Sequence, residues 1–188
     1  MTQQILETLR GSVVIRPGQV QDWQQYRTLR LEMLRAHPAE FLADYTTTEA
    51  YHASFWQERL RPPGPMQATF FAAQNGELVG MVHVQRRGGL KSQHNAEVYS
   101  VYVKPEWRGL RIAGALLDRC ALWAKRNGVT VLKLTVVDSN KTAIHCFERN
   151  GFATYGTEPH AVLVDGNYFD DVLMARILDA VQDDAQND

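Results

Sequence analysis

The join between Glu97 and Leu117 constrains the fold more than any other part of the chain. EVYSVYV (Glu97 to Val103) is β-branched and aromatic, as strands prefer. Beyond Arg108, the apolar residues Ile112, Leu116, Cys120 and Trp123 recur three or four positions apart and so share one helical face. A strand therefore passes through a short turn, Arg108-Gly109-Leu110-Arg111, straight into a helix. Such a turn leaves the first N–H groups of the helix without partners, with the positive end of the helix dipole behind them. Two arginines add full charges. The join favours an anion.

The rest of the chain supplies a sheet around this join. A short strand at Val13-Val14-Ile15 stops at Pro17, and Asp22 is placed to cap a helix running to about Ala36, with Tyr26, Leu29, Met33 and Leu34 on its apolar stripe. A second helix is predicted over Thr47 to Leu60, ended by RPPGP. TFFAAQ, the turn Asn75-Gly76 and ELVGMVHVQ form a hairpin. The helix from Ile112 closes at Asn127-Gly128, and VTVLKLTVV is a buried strand. Asp138-Ser139-Asn140 then caps a helix, KTAIHCFER, that Gly151 closes. A last hairpin joins ATYGTEPHAVLV to YFDDVLMARIL across Asp165-Gly166-Asn167, and the first ten and last ten residues read as peripheral ends. The strand–helix–strand–helix heart requires a parallel strand pair in a mixed α+β fold.

Charge narrows the class of partner. The net charge is −1, with 45% hydrophobic and 22% charged residues, which argues against general attraction to nucleic acid or an anionic membrane. The distribution is uneven. Seven basic residues face two acids between Lys104 and Lys133, whereas eight acids face Arg176 alone from Gly156 onward. An anion-binding middle explains the split, as does a solvated surface. Cys120 and Cys146 sit among apolar helical neighbours and are expected to be buried, reduced thiols. No apolar run approaches the roughly 18 residues of a membrane span, and MTQQILETLR lacks the features of a secretory signal, so the expected location is the cytoplasm. The histidines show no metal-ligand spacing and no metal is expected. Neither the GK[ST] loop nor the GxGxxG fingerprint of nucleotide modules is present.

Two segments carry a family resemblance. VYVKPEWRGLRIAGALL is similar to the strand, the Q/R-x-x-G-x-G/A loop and the helix of the GNAT superfamily of acyl-CoA-dependent N-acetyltransferases. VVDSNKTAIHCFERNGF is similar to that family's second motif. The resemblance extends over roughly Val13 to Leu178. It implies one GNAT domain spanning 1–188 with its core at about 13–178. The implied sheet is mixed, mostly antiparallel and twisted, with about six to seven strands, a splayed parallel pair and about four helices. It also implies acetyl-CoA as acyl donor, a small-molecule or peptide amine as acceptor, and a homodimer, the common state of relatives.

By the same resemblance, amides of Arg108, Gly109, Leu110, Arg111, Ile112, Ala113, Gly114 and Ala115 hold the pyrophosphate of coenzyme A. Arg111 stands where the pattern has its first glycine, and its side chain is expected to project outward. The pantetheine arm fills a wedge between the strand ending at Val103 and the Val131–Val137 strand, pairing with Val101, Tyr102 and Val103; Asn140 matches the family asparagine that contacts the arm, and Ala143 and Phe147 join the implied cofactor-binding residues. A strand edge offers unpaired donors and acceptors to such an arm.

Transfer to an amine needs a base, an oxyanion donor and a leaving thiolate. Glu97 aligns with the catalytic glutamate of histone-modifying members; it is either that base, with a raised pKa if buried, or a structural carboxylate at a strand entrance. His83 is a second candidate, and a backbone N–H near Tyr102 or Val103 suits the oxyanion. Alternation puts Glu97, Tyr99 and Val101 on one face unless a bulge near Val101 to Val103 resets it. Phe147 occupies the place where many members carry an acidic tyrosine, and phenylalanine cannot donate. Tyr102, Tyr155, Tyr168, Cys146 or water remain as substitutes. Tyr99, Tyr168 and Asp170 are expected to line the acceptor side. The competing possibility is a non-catalytic acyl-CoA sensor.

Overall fold

The computed structural model describes residues 3–178. Its elements in chain order are β1 (Gln4–Thr8), β2 (Gly11–Pro17), α1 (Trp23–Ala36), α2 (Tyr45–Glu49), α3 (Ala53–Glu58), β3 (Gln67–Gln74) and β4 (Glu77–Arg86). There follow β5 (Asn95–Val103), α4 (Ile112–Arg126), β6 (Val131–Val137), α5 (Lys141–Arg149), β7 (Ala153–Val164) and β8 (Asn167–Ile177). Among the described residues the strands form one eight-stranded sheet in the order β1-β2-β3-β4-β5-β6-β8-β7. All pairs are antiparallel except β5 with β6.

Both faces of the sheet centre are covered, which is why β4 is buried without interruption from Leu78 to Val84. On one face the stripe Tyr26, Leu29, Met33 and Leu34 of α1 packs with Trp56 and Leu60 against Phe71, Met81 and Tyr102. On the other, Ile112, Leu116, Cys120 and Trp123 of α4 pack with Phe147 of α5 against Phe70, Val82, Val98 and Leu132. Burial of each such side chain contributes about 1.5–3 kcal/mol. The turns Asn75-Gly76 and Asp165-Gly166 have positive φ at both residues, the geometry that matches hairpin twist.

The structure differs from the sequence expectation in four places. The first ten residues are not merely a peripheral end, since Gln4–Thr8 pairs along β2 as the edge strand. Of that strand only Leu6 packs on the core, so its apolar pattern is faint. The helix predicted over Thr47–Leu60 is two helices. Asp44 accepts from Thr47 N at 2.8 Å to start α2, and the His52 ring accepts from Ser54 N at 3.4 Å to restart as α3. Those changes account for eight strands and five α-helices among the described residues instead of about six to seven and four. Asp22 makes no side-chain cap on α1; it is buried in a two-point ion pair with Arg16 at 2.6 and 2.8 Å. Cys120 is buried, but Cys146 is only half-buried. The final ten residues lie outside the described residues.

The pairing of β5 with β6 positions the site. It spans Asn95–Glu97 against Val131–Lys133 and then stops, so β5 and β6 part from there on. The cause is local. Ser100 has φ 56°, and the β4–β5 register slips between Met81 and His83, which places Ser100 and Val101 opposite the single residue Val82. This bulge resets the alternation. Glu97 and Tyr99 stay on one face, whereas Val101 and Val103 turn to the α4 core and Tyr102 to α1.

Candidate active site

The turn ahead of α4 is held open by two left-handed residues, Gly109 at φ 77° and Arg111 at φ 60°. Glycine takes that conformation freely; arginine pays about 1–2 kcal/mol for it. The first helical bond of α4 runs from Ala115 N to Arg111 O at 3.1 Å. The amides of Ile112, Ala113 and Gly114 therefore precede the helical ladder, and no side chain caps them. Ile112, Ala113 and Gly114 line a cleft of about 910 Å³ together with Arg108, Gly109, Arg111 and Ala115. Arg111 is exposed at its rim, whereas Leu110 packs on the core. Gly114 has a further reason to be glycine: a Cβ there would sit 2.9 Å from Asn150 Oδ1, and Asn150 Nδ2 donates to Cys146 O at 2.7 Å.

The cleft occupies the split between β5 and β6. Val101, Tyr102 and Val103 form one wall, and Asn140, Ala143 and Phe147 the other. The ring of Phe147 meets Phe152 edge-on at 6.1 Å, so this wall is apolar where a tyrosine would present a hydroxyl. Cys146 also lines the cleft, and burial raises its thiol pKa against the pull of Arg149.

A polar chain crosses the cleft. Arg108 Nε donates to Val103 O at 3.1 Å, and its Nη2 lies 3.1 Å from His37 Nε2. His37 Nδ1 is 3.1 Å from Glu40 Oε1, and Glu40 Oε2 accepts from Asn140 Nδ2 at 2.8 Å. A guanidinium has no acceptor, so Nε2 accepts and the proton of neutral His37 sits on Nδ1, facing Glu40. Asn140 is used twice, because its Oδ1 accepts from Ala143 N at 3.0 Å as the cap of α5. The sequence did not single out His37 or Glu40 as site residues.

The opposite face of β5 carries the ionisable groups. Glu97, at the last parallel pair, accepts from Arg87 Nε at 2.8 Å. Its neighbour in alternation, Tyr99, stands opposite His83 with ring centroids 6.3 Å apart. His83 is 4% exposed, with Nδ1 2.9 Å from Thr69 Oγ1. Thr69 donates to Arg59 O at 3.3 Å, so His83 Nδ1–H donates to Thr69 and Nε2 remains an acceptor. Burial, then the charges of Arg59 and Arg30, lowers the His83 pKa to about 3. Tyr102 donates to Glu32 Oε1 at 2.8 Å; burial and then that bond push its hydroxyl well above the usual range.

Tyr168 and Asp170 belong to β8, the second strand of the last hairpin. Tyr168 stacks on His160 at 4.6 Å, and Asp170 accepts from His160 N at 2.8 Å. Neither residue lines the cleft. Tyr155 lies under the Lys133 ammonium at 5.5 Å.

Residues 27–152 match the acetyltransferase (GNAT) family. Over 174 residues the chain is 28% identical to L-amino acid N-acetyltransferase AaaT of Escherichia coli (strain K12), covering 89% of this chain and 99% of that one. YncA of Salmonella typhimurium, solved with its cofactor acetyl-CoA, aligns with a TM-score of 0.75 at 21% identity, over 94% of this chain and 98% of that one. An acetyltransferase of the GNAT family from Streptococcus pneumoniae gives 0.75 at 20% identity, over 89% and 99%. These alignments show that the chain shares its overall fold with both structures. The chain belongs to the acetyltransferase (GNAT) family.

Proposed function

We propose that the chain moves an acetyl group from acetyl-CoA to the primary amine of a small molecule, an amino acid or a peptide, by direct attack within a ternary complex. One observation carries the proposal: the unladdered amides of Ile112, Ala113 and Gly114 line a cleft that runs into the split between β5 and β6. Clustered N–H donors at a helix start suit a diphosphate, and the edge of β5 suits an amide-bearing arm. The similarity to an enzyme named for L-amino acids supports an amine acceptor.

Acetyl-CoA supplies the activated acetyl group as a thioester. The chain's own residues do the rest. Arg108 and Arg111 bring positive potential to the diphosphate amides, Gly109 permits the turn that presents them, and Val101 and Val103 offer backbone pairing. Asn140, Ala143 and Phe147 close the apolar wall and limit water. The amide of Tyr102 or Val103 is aimed at the developing oxyanion. Glu97, at the apex of the split, takes the proton of the acceptor amine, directly or through water, while Arg87 orients its carboxylate. His83 is the second candidate base; with its pKa near 3 it accepts a proton only weakly. Tyr99 lines the acceptor side of β5.

The apolar Phe147 favours one competing reading, a sensor that binds acyl-CoA without turnover. Purified protein, acetyl-CoA and a panel of amines with detection of released thiol separate the two. Transfer with at least one amine, lost on the order of 10²–10⁴-fold in Glu97→Gln with acetyl-CoA affinity retained, is the expected result. Binding without thiol release across the panel would falsify the transferase assignment.

A further inference from the structure

A primary amine arrives as an ammonium and leaves as an amide, so its nitrogen sheds two protons during transfer. Glu97 accounts for one of them. Among the β5 residues that line the cleft, Val101, Tyr102 and Val103, only Tyr102 has a side chain that can carry the other. It lies beyond the last parallel pair, where β5 has left β6, and its ring packs on the α1 side of the sheet. The residue is 4% exposed, and its hydroxyl donates to Oε1 of Glu32, on α1, at 2.8 Å. Glu32 is half-buried, and among the described residues no Lys, Arg or His nitrogen stands within ion-pair distance of it, whereas Asp22 has Arg16. No fixed cation competes there with an incoming proton. Arg108 stands 5.8 Å from the centre of the Tyr102 ring and His37 meets the ring edge-on at 6.1 Å, yet neither bonds to the hydroxyl. From α1, Arg30 donates to Ser100 Oγ instead.

The phenol is arranged to pass a proton along. With its O–H aimed at Glu32, the oxygen keeps a lone pair for a second donor. Burial, and then the negative charge of its hydrogen-bond partner, opposes a tyrosinate, so Tyr102 is a poor acid for a leaving thiolate. We infer that Glu32 is the acceptor of the second amine proton, reached through the Tyr102 hydroxyl. The inference rests on the transferase reading above. As the nitrogen lone pair forms the C–N bond, the excess proton on nitrogen moves to Tyr102 Oη and the phenolic proton moves to Glu32 Oε1. The phenol is neutral before and after. The C–S bond breaks with its electron pair on sulfur, and Glu32 returns its proton to water. Tyr102 touches the reacting nitrogen; Glu32 orients the phenol and receives its proton.

The test follows thiol release with the fastest acceptor among the L-amino acids and their methyl esters, from about pH 7 to about pH 9, for the wild type, Glu32→Gln, Tyr102→Phe, the double variant and Glu32→Asp. Expected is a loss in kcat on the order of 10²-fold in Glu32→Gln and in Tyr102→Phe, with acetyl-CoA affinity by calorimetry within a few-fold of the wild type. The double variant is expected to be no slower than the slower single one, because the two groups act as one path. Glu32→Asp keeps part of the rate. The deficit shrinks as the pH rises, since hydroxide takes the proton in place of Glu32; a structural role would leave it constant. An active wild type with either single variant within about 3-fold of it overturns the inference. Additive losses overturn it too, as does a deficit that pH does not move. A wild type that acetylates no amine sinks the transferase reading and the relay together, an outcome distinct from normal turnover in the variants. A Glu32→Gln variant that fails to bind acetyl-CoA is misfolded, and Tyr102→Phe with Glu32→Asp then decides.

Discussion

Glu40 and Asn140, 100 positions apart, meet at 2.8 Å across the cleft that the split sheet opens. The amide that Glu40 holds is the one the family resemblance assigns to the cofactor arm. The carboxylate also adds negative charge to a cleft whose other end is arranged for an anion. An incoming ligand must displace it. Glu40→Ala is therefore expected to tighten acetyl-CoA binding about 5-fold, the value of one half-buried hydrogen bond near 1 kcal/mol. Calorimetric titration of the variant checks this, and weaker binding would show that Glu40 assists the ligand.

Asn140→Ala removes the cap of α5 and leaves the Ala143 amide without its acceptor. The expected cost is about 0.5–2 kcal/mol, or a fall in melting temperature of about 2–4 °C per kcal/mol for a chain of this size. Differential scanning calorimetry without ligand measures it. An unchanged transition would remove the capping role.

Gly114 permits the close approach of α4 and the end of α5. In Gly114→Ala the new Cβ meets Asn150 Oδ1 at 2.9 Å and pushes the amide off Cys146 O. A loss of about 1 kcal/mol is expected. Once Asn150→Ala is present, Gly114→Ala is expected to cost little further, because the clash has no partner. Chemical denaturation of both single variants and the double variant reads the coupling. Additive costs would contradict the contact.

The buried imidazole of His83 ties stability to pH. Its folded pKa lies at about 3, below the ordinary 6.5 of an unfolded histidine. Between those values the unfolded chain binds the proton and the folded one does not. Stability attributable to this group is thus fully present above about pH 6.5 and falls as the pH drops toward 3. His83→Asn removes that proton from the balance. Its plot of unfolding free energy against pH is expected to be shallower than the wild type by up to about 1.4 kcal/mol per unit between pH 6 and 4. Parallel slopes would mean that His83 is protonated in the fold.

The sequence was most legible where structure is local. The turn at Arg108–Arg111, the stripe Ile112, Leu116, Cys120 and Trp123, and the hairpins at Asn75-Gly76 and Asp165-Gly166 each declare themselves within a few residues. The edge strand Gln4–Thr8 did not, because Leu6 alone ties it to the core. The bulge was legible as an option but not as a position, since Ser100 at φ 56° is not a residue type that announces a left-handed conformation. Contacts such as Arg30 with Ser100 and Glu40 with Asn140 join residues 70 and 100 positions apart and have no periodic signature at all. The polar chain therefore emerges only in three dimensions.

On the proposed function, the α4 amides grip a diphosphate. Two calorimetric titrations of the purified protein decide this, one with acetyl-CoA and one with acetyl-pantetheine, which lacks the diphosphate and nucleotide. Saturable binding of acetyl-CoA, with acetyl-pantetheine weaker on the order of 100-fold, is the expected result, equivalent to two charge-assisted hydrogen bonds. No binding of acetyl-CoA, or equal affinity for the two, would contradict it.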